Sequence, residues 1–304
     1  MWRPYLQLVR LPNTFTAFAD VLMGYLVTHG SANPWPPLVL LLASSGLIYS
    51  AGMALNDAYD VEQDRRERPQ RPIPSGRVPL ATAFRLGFGL LGAGVLCGAL
   101  AGLGARSIWP GVTATSVALL AWAYDAWLKR TPLGPLAMGG CRTLNVLLGM
   151  SLAESWSPPL LLVAGALGVY VAGITWFARK EAAVSRRIQL GGATLVMAVG
   201  LGALAALPWV DAHFAGPTVA LATSAAERYP LLIGVLAFLI LRRCFMAVLD
   251  PVPPRVQAAV RQAIFSLVVL DAAVTLAACG PLWATAVIVL LAPTLLLGRW
   301  LYAT

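Results

Sequence analysis

Ten stretches of about 20 predominantly apolar residues follow one another along this chain, near positions 11–29, 36–58, 80–103, 107–128, 133–152, 158–178, 189–208, 229–249, 257–279 and 281–301. Each is long enough to cross the hydrocarbon core of a bilayer as a helix. In lipid, backbone that is not helical or closed into a barrel leaves its polar groups unsatisfied. The pattern predicts an all-α, polytopic transmembrane bundle, read as one domain over 1–304, because no useful soluble domain fits between the runs. Composition agrees: 59% of the 304 residues are hydrophobic and 12% are charged, against about 45–50% and about 25% in soluble domains. The first run carries Asp20 and has no convincing small-residue cleavage site, so it reads as a retained helix rather than a signal peptide.

The net charge of +9 would raise nucleic-acid binding in a soluble chain. Here the positive-inside rule accounts for it, and no nucleic-acid partner is expected. Arg3 and Arg10, the arginines of 65–77, Lys129-Arg130, Arg179-Lys180 with Arg186-Arg187, and Arg255 with Arg261 fall on one side if every window spans. The opposite loops lack Lys and Arg except for Arg106. The expected setting is the cell membrane, multi-pass, with the N-terminus and the segment after 55 on the cytoplasmic side. Cys97, Cys141, Cys244 and Cys279 lie in apolar runs without metal-ligand spacing, and His29 and His213 are far apart. Neither a disulfide framework nor thiolate or histidine metal chemistry is indicated.

The chemistry concentrates at Asn56–Arg77, NDAYDVEQDRRERPQRPIPSGR, where an apolar run ends in acids and then arginines. If the helix continues through it, Asn56, Asp60 and Asp64 stand at i, i+4 and i+8, drifting about 40° and rising about 6 Å per step. Asp57, three residues before Asp60, can join that face. Four oxygen-bearing side chains without Cys or His suit a hard cation such as Mg²⁺. A plain helix end, its acids neutralised by Arg65, Arg66, Arg68 and Arg71, accounts for the same spacing.

Asn-Asp-x-x-Asp-x-x-x-Asp, followed by an arginine-rich run ending in Arg71-Pro72-Ile73-Pro74-Ser75-Gly76, resembles the first aspartate motif and trailing loop of the UbiA superfamily of integral-membrane prenyltransferases. The resemblance implies a bundle of nine helices, which makes one of the last two windows a partial or surface segment, or else ten spans with a tight hairpin at Gly280-Pro281. It implies Mg²⁺ held by Asn56, Asp60 and Asp64, with Asp57 assisting, against the diphosphate of a polyprenyl donor. The prenyl group would pass to a lipidic or aromatic acceptor, and membrane lipids would surround the site. Tyr124-Asp125-Ala126-Trp127-Leu128-Lys129-Arg130 is similar to the family's Tyr-x-x-x-Lys-Arg, with one extra residue. By that likeness Lys129 contacts diphosphate and joins Asp60 and Asp64 as catalytic; Arg71 is a second phosphate contact, and Arg130 a topology charge.

Cys141-Arg142-Thr143-Leu144-Asn145 resembles an EboC-like branch of the same superfamily. It places Arg142 and Asn145 three apart on one face of an apolar helix, where the arginine requires an anion. Asn13, Thr16 and Asp20 make a polar stripe on the first helix, and Asn13 and Asp20 stand as candidate substrate contacts; pairing of Asp20 with an internal arginine is the alternative. The family's second aspartate motif is absent. The chain instead reads Gly173-Ile174-Thr175-Trp176-Phe177-Ala178-Arg179-Lys180-Glu181. Either Arg179 and Lys180 neutralise phosphate directly, with Glu181 as a remaining ligand and Trp176 beside the prenyl chain, or the protein binds or transports an isoprenoid lipid without transferring it. Asp271 is expected to pair with Arg242 or Arg243.

Overall fold

The computed structural model describes residues 2–179, 185–214 and 223–302. Among them every regular element is helical. A short α1 (Arg3–Leu8) leads into α2 (Leu11–His29), α3 (Trp35–Tyr59) and the short α4 (Val61–Glu67). A loop then reaches α5 (Leu80–Leu103), α6 (Trp109–Ala126), a 3-10 turn (Leu128–Arg130) and α7 (Gly134–Met150). The second half comprises α8 (Pro158–Ala178), α9 (Arg187–Ala205), the short α10 (Leu207–His213), α11 (Thr223–Leu249), α12 (Pro253–Cys279), α13 (Pro281–Ile288) and α14 (Leu291–Tyr302).

All ten apolar windows fall on helices, and proline within the first turn opens α2, α3, α6, α7, α8, α12 and α13. That is where its missing N–H is harmless. Among the described residues six helices (α3, α5, α8, α9, α11 and α12) are long and apolar enough to cross a membrane by length and composition. Gly280, at φ +83°, turns α12 directly into α13. The last window is two helices rather than one rod, because the chain breaks at Val289-Leu290.

One buried cluster joins α2, α3, α5 and α6; a larger one joins α7, α8, α9, α11 and α12, and α2 contributes to both. Lipid supplies no hydrophobic drive between helices, so small residues that let backbones approach do much of the packing. A Cβ on Gly94 of α5 would sit 2.6 Å from Ile48 Cγ1 and 3.0 Å from the Ser44 carbonyl oxygen of α3. A Cβ on Gly24 of α2 would sit 2.7 Å from the Val146 carbonyl oxygen of α7. The first approach sets α5 close against α3, and the second sets α2 close against α7.

Candidate active site

The Asn56–Asp64 segment is not one uninterrupted helix. It kinks at Asp60 (φ −97°, ψ 10°), between α3 and α4, although Asp60 N–H still bonds the Asn56 carbonyl at 3.0 Å and Asp64 N–H the Asp60 carbonyl at 2.9 Å. The expected ladder of four groups is accordingly divided into two pairs.

Lys129 Nζ, from the turn after α6, donates to Asn56 Oδ1 at 3.0 Å and Asp60 Oδ2 at 2.7 Å. Arg71 Nη1, from the loop after α4, donates to Asp57 Oδ1 at 3.1 Å and Asp64 Oδ2 at 2.6 Å. Arg10 Nη2 adds a second contact to Asp57 Oδ1 at 3.0 Å, and Arg130 Nη2 lies 3.5 Å from Asp60 Oδ1. Asp57 and Asp64 are buried. Burial pushes the Asp64 carboxyl above the usual carboxylate range, against the opposing pull of its hydrogen bond from Arg71.

Arg10 had no signal in motif spacing. It stands at the bend between α1 and α2 with φ +47° and reaches 47 positions along the chain to Asp57. Asp125 is the other residue that spacing did not single out. It is buried at the end of α6, within electrostatic reach of Lys129, Asp60, Arg10 and Asp57. Arg179 donates to the Thr131 carbonyl, just beyond the turn that carries Lys129. Lys180 and Glu181 lie outside the described residues. Trp176 packs over Gly192 of α9 rather than over the acidic segment, and Asn13 sits on the first turn of α2.

Asp20, Arg142 and Asn145 do come together, in contact with one another. Arg142 Nη2 lies 2.6 Å from Asp20 Oδ1, and Asn145 Nδ2 donates to Asp20 Oδ2 at 2.8 Å. Ser45 Oγ of α3 donates to Asn145 Oδ1 at 2.7 Å. The intramembrane carboxylate of α2 is therefore answered by an internal arginine, as charge in lipid requires. Asp271 of α12 turns to the same guanidinium at 3.7 Å. It does not pair with Arg242 or Arg243, which point outward from α11.

Among the described residues no three His, Cys, Asp or Glu side chains gather as a ready-made metal cage. Magnesium rarely uses one: one or two carboxylates with phosphate oxygens and water is its usual set. Asn56 with Asp60, and Asp57 with Asp64, fit that description, since each pair offers only oxygen donors and already converges on a single cationic nitrogen.

Comparison with known proteins places the chain among relatives of one kind. The digeranylgeranylglyceryl phosphate synthase of Metallosphaera sedula is 39% identical over 147 residues, covering 48% of this chain and 50% of that protein. The enzyme of the same name from Saccharolobus solfataricus is 32% identical over 148 residues, covering 48% and 51%. The chain thus spans about half the length of the curated relatives it matches. A solved structure concerned with digeranylgeranylglyceryl phosphate synthase in membranes superposes with a TM-score of 0.67 at 20% identity, over 92% of this chain and all of that one. A UbiA homologue from Archaeoglobus fulgidus, bound to GPP and Mg²⁺, gives 0.57 at 16% identity over 94% and 99%. The family model described as the UbiA prenyltransferase family matches residues 17–258, and the chain belongs to that family.

Proposed function

We propose that this protein is a membrane-embedded, Mg²⁺-dependent prenyltransferase that moves a prenyl group from a polyprenyl diphosphate to a lipidic or aromatic acceptor. The carrying observation is the interleaving of charge at the α3 kink, where Lys129 and Arg71 each bridge two oxygens of the Asn56–Asp64 segment. Family membership supports the reaction type, the named relatives favour a glyceryl phosphate acceptor, and the solved homologue with GPP and Mg²⁺ supports the donor and the metal. The distribution of Lys and Arg supports the cell membrane, with this cluster and the N-terminus at the cytoplasmic side.

Asn56 with Asp60, and Asp57 with Asp64, would hold the metal, which when bound supplies Lewis-acid pull on the departing diphosphate. Asp57, Asp60 and Asp64 are already balanced by Arg10, Arg71 and Lys129. A divalent ion alone meets little net negative charge there, so the diphosphate itself completes the site. Lys129 and Arg71 hold phosphate oxygens as charge develops on them, and Arg179 and Lys180 supply positive charge at the sequence position where the family carries a second acidic motif.

Purified protein with labelled polyprenyl diphosphate and Mg²⁺ tests this reading. Diphosphate release with transfer to acceptor is expected; no release with any acceptor, water included, overturns it. The charge balance of the acids also favours a second reading, an isoprenoid-lipid binder or transporter without turnover. That reading requires lipid binding that is independent of Mg²⁺ and indifferent to Asp60→Asn.

A further inference from the structure

We propose that Asp125 is a catalytic base of the transfer step, the carboxylate that takes the acceptor's hydroxyl proton as the new C–O bond forms. The proposal rests on the prenyl-transfer reading above and adds a residue outside the aspartate motif.

Asp125 lies in the last turn of α6 and is 3% exposed. Asp57, Asp60 and Asp64 are each closed by a lysine or arginine. Among the described residues Asp125 accepts no hydrogen bond and has no cation within ion-pairing distance, although it lies in the field of the same cluster. A buried carboxylate left without a partner is expensive, and in membrane helices such groups mark working sites.

Its position gives that group a task. A Cβ built on Gly52 would lie 3.8 Å from Asp125 Oδ2. Gly52, Asn56 and Asp60 are spaced i, i+4, i+8 and share a face of α3, so Asp125 extends the oxygen-lined face by one turn, about 6 Å, away from the helix end. Gly52 has no side chain to stand between the carboxylate and that face. With the diphosphate held at the level of Lys129 and Asp60, the apolar chain of the donor runs inward, and its first carbon falls toward the level of Asp125.

Atoms and electrons balance with one carboxylate. A lone pair on the acceptor hydroxyl oxygen forms the bond to the first donor carbon. The bond from that carbon to diphosphate oxygen breaks, and diphosphate leaves with the electron pair. The hydroxyl proton passes to Asp125. Diphosphate oxygens engaged by Lys129 and Arg71 are poor competitors for that proton. The substrate class this requires is an alcohol, as in a prenylglyceryl phosphate.

The test compares wild type with the isosteric Asp125→Asn, using labelled geranylgeranyl diphosphate, Mg²⁺ and a prenylglyceryl phosphate acceptor. Donor affinity is expected to stay within about threefold while the transfer rate falls by about 10²–10⁴-fold, the range of general-base catalysis. The deficit should shrink when fluorine beside the acceptor hydroxyl makes it more acidic, since less help is then needed to remove the proton. Asp125→Glu should retain part of the rate, which separates a lost base from a misfolded bundle. Transfer by Asp125→Asn at the wild-type rate overturns the proposal, as does loss of donor binding or a deficit indifferent to acceptor acidity. Wild type without transfer to any alcohol overturns the parent reading as well; an active wild type beside an equally active Asp125→Asn overturns this inference alone.

Discussion

Lys129 Nζ stands 2.7 Å from Asp60 Oδ2, and the contact ties the turn after α6 to the end of α3 across 69 positions of sequence. The same nitrogen reaches Asn56 Oδ1. The ammonium thus joins the turn after α6 to two oxygens of the acidic segment, and substitutions there test the proposed site most directly.

Lys129→Met should weaken polyprenyl diphosphate binding by about ten- to a hundredfold, because hydrogen bonds to charged groups contribute about 1.5–3 kcal/mol. Lys129→Arg should restore little of it, since a planar fork does not replace a compact ammonium shared by two oxygens. Titration with labelled donor reads both. Binding equal to wild type in Lys129→Met would remove the lysine from the site.

Metal removal should stop turnover, and added Mg²⁺ should restore it. Asp60→Asn and Asp64→Asn should each lower turnover by at least about a hundredfold if lost transition-state stabilisation is about 2.7 kcal/mol or more, with membrane insertion intact. Each removes one charge from a different oxygen pair, so the two variants probe the two halves of the kinked segment separately. Undiminished rates in both would defeat the metal assignment.

The buried triad of Asp20, Arg142 and Asp271 predicts an asymmetry. Arg142→Leu leaves two carboxylates facing each other in the bundle interior and should destabilise the protein by about 3–5 kcal/mol, the cost of breaking a buried pair. Asp271→Asn should be tolerated, because neither Asp271 oxygen accepts a hydrogen bond and the single arginine sits closer to Asp20. Asp20→Asn should fall between them. Thermal unfolding in detergent ranks the three, and an Asp271→Asn protein as unstable as Arg142→Leu would contradict the assignment.

Helix contact through glycine is testable without touching the chemistry. Gly149 of α7 lies directly against the Val21 backbone of α2. Gly149→Ala should therefore cost about 1–3 kcal/mol, as overpacking does. Gly89 of α5 has nothing within 4 Å of its would-be Cβ. Gly89→Ala should be neutral or slightly stabilising. Equal stability of the two variants would show that close approach at Gly149 is not limiting.

Much of the fold was legible beforehand because its causes are local. A run of about 20 apolar residues must satisfy its own backbone in lipid and so becomes a helix; the proline-led starts and Gly280 mark where runs begin and end. The break inside the last window was not legible, since 281–301 is apolar on both sides of Val289-Leu290. At the site, the i, i+4 spacing put Asn56 and Asp60 on one face, whereas the lysine that bridges them, Lys129, comes from the turn after α6, 69 positions beyond Asp60. The regrouping of Asp64 with Asp57 follows from the kink at Asp60, which no residue type announces.

Sequence alone determined that this chain is a helical membrane protein and where its acids and bases cluster, for hydropathy and short spacings depend only on neighbours along the chain. Tertiary structure alone decided which charge answers which. Arg10 reaches Asp57, Arg142 and not Arg242 faces Asp271, and Asp125 comes to lie beside Gly52. Such pairings join positions tens to more than a hundred residues apart, and in a low-dielectric interior they are set by which helix faces meet.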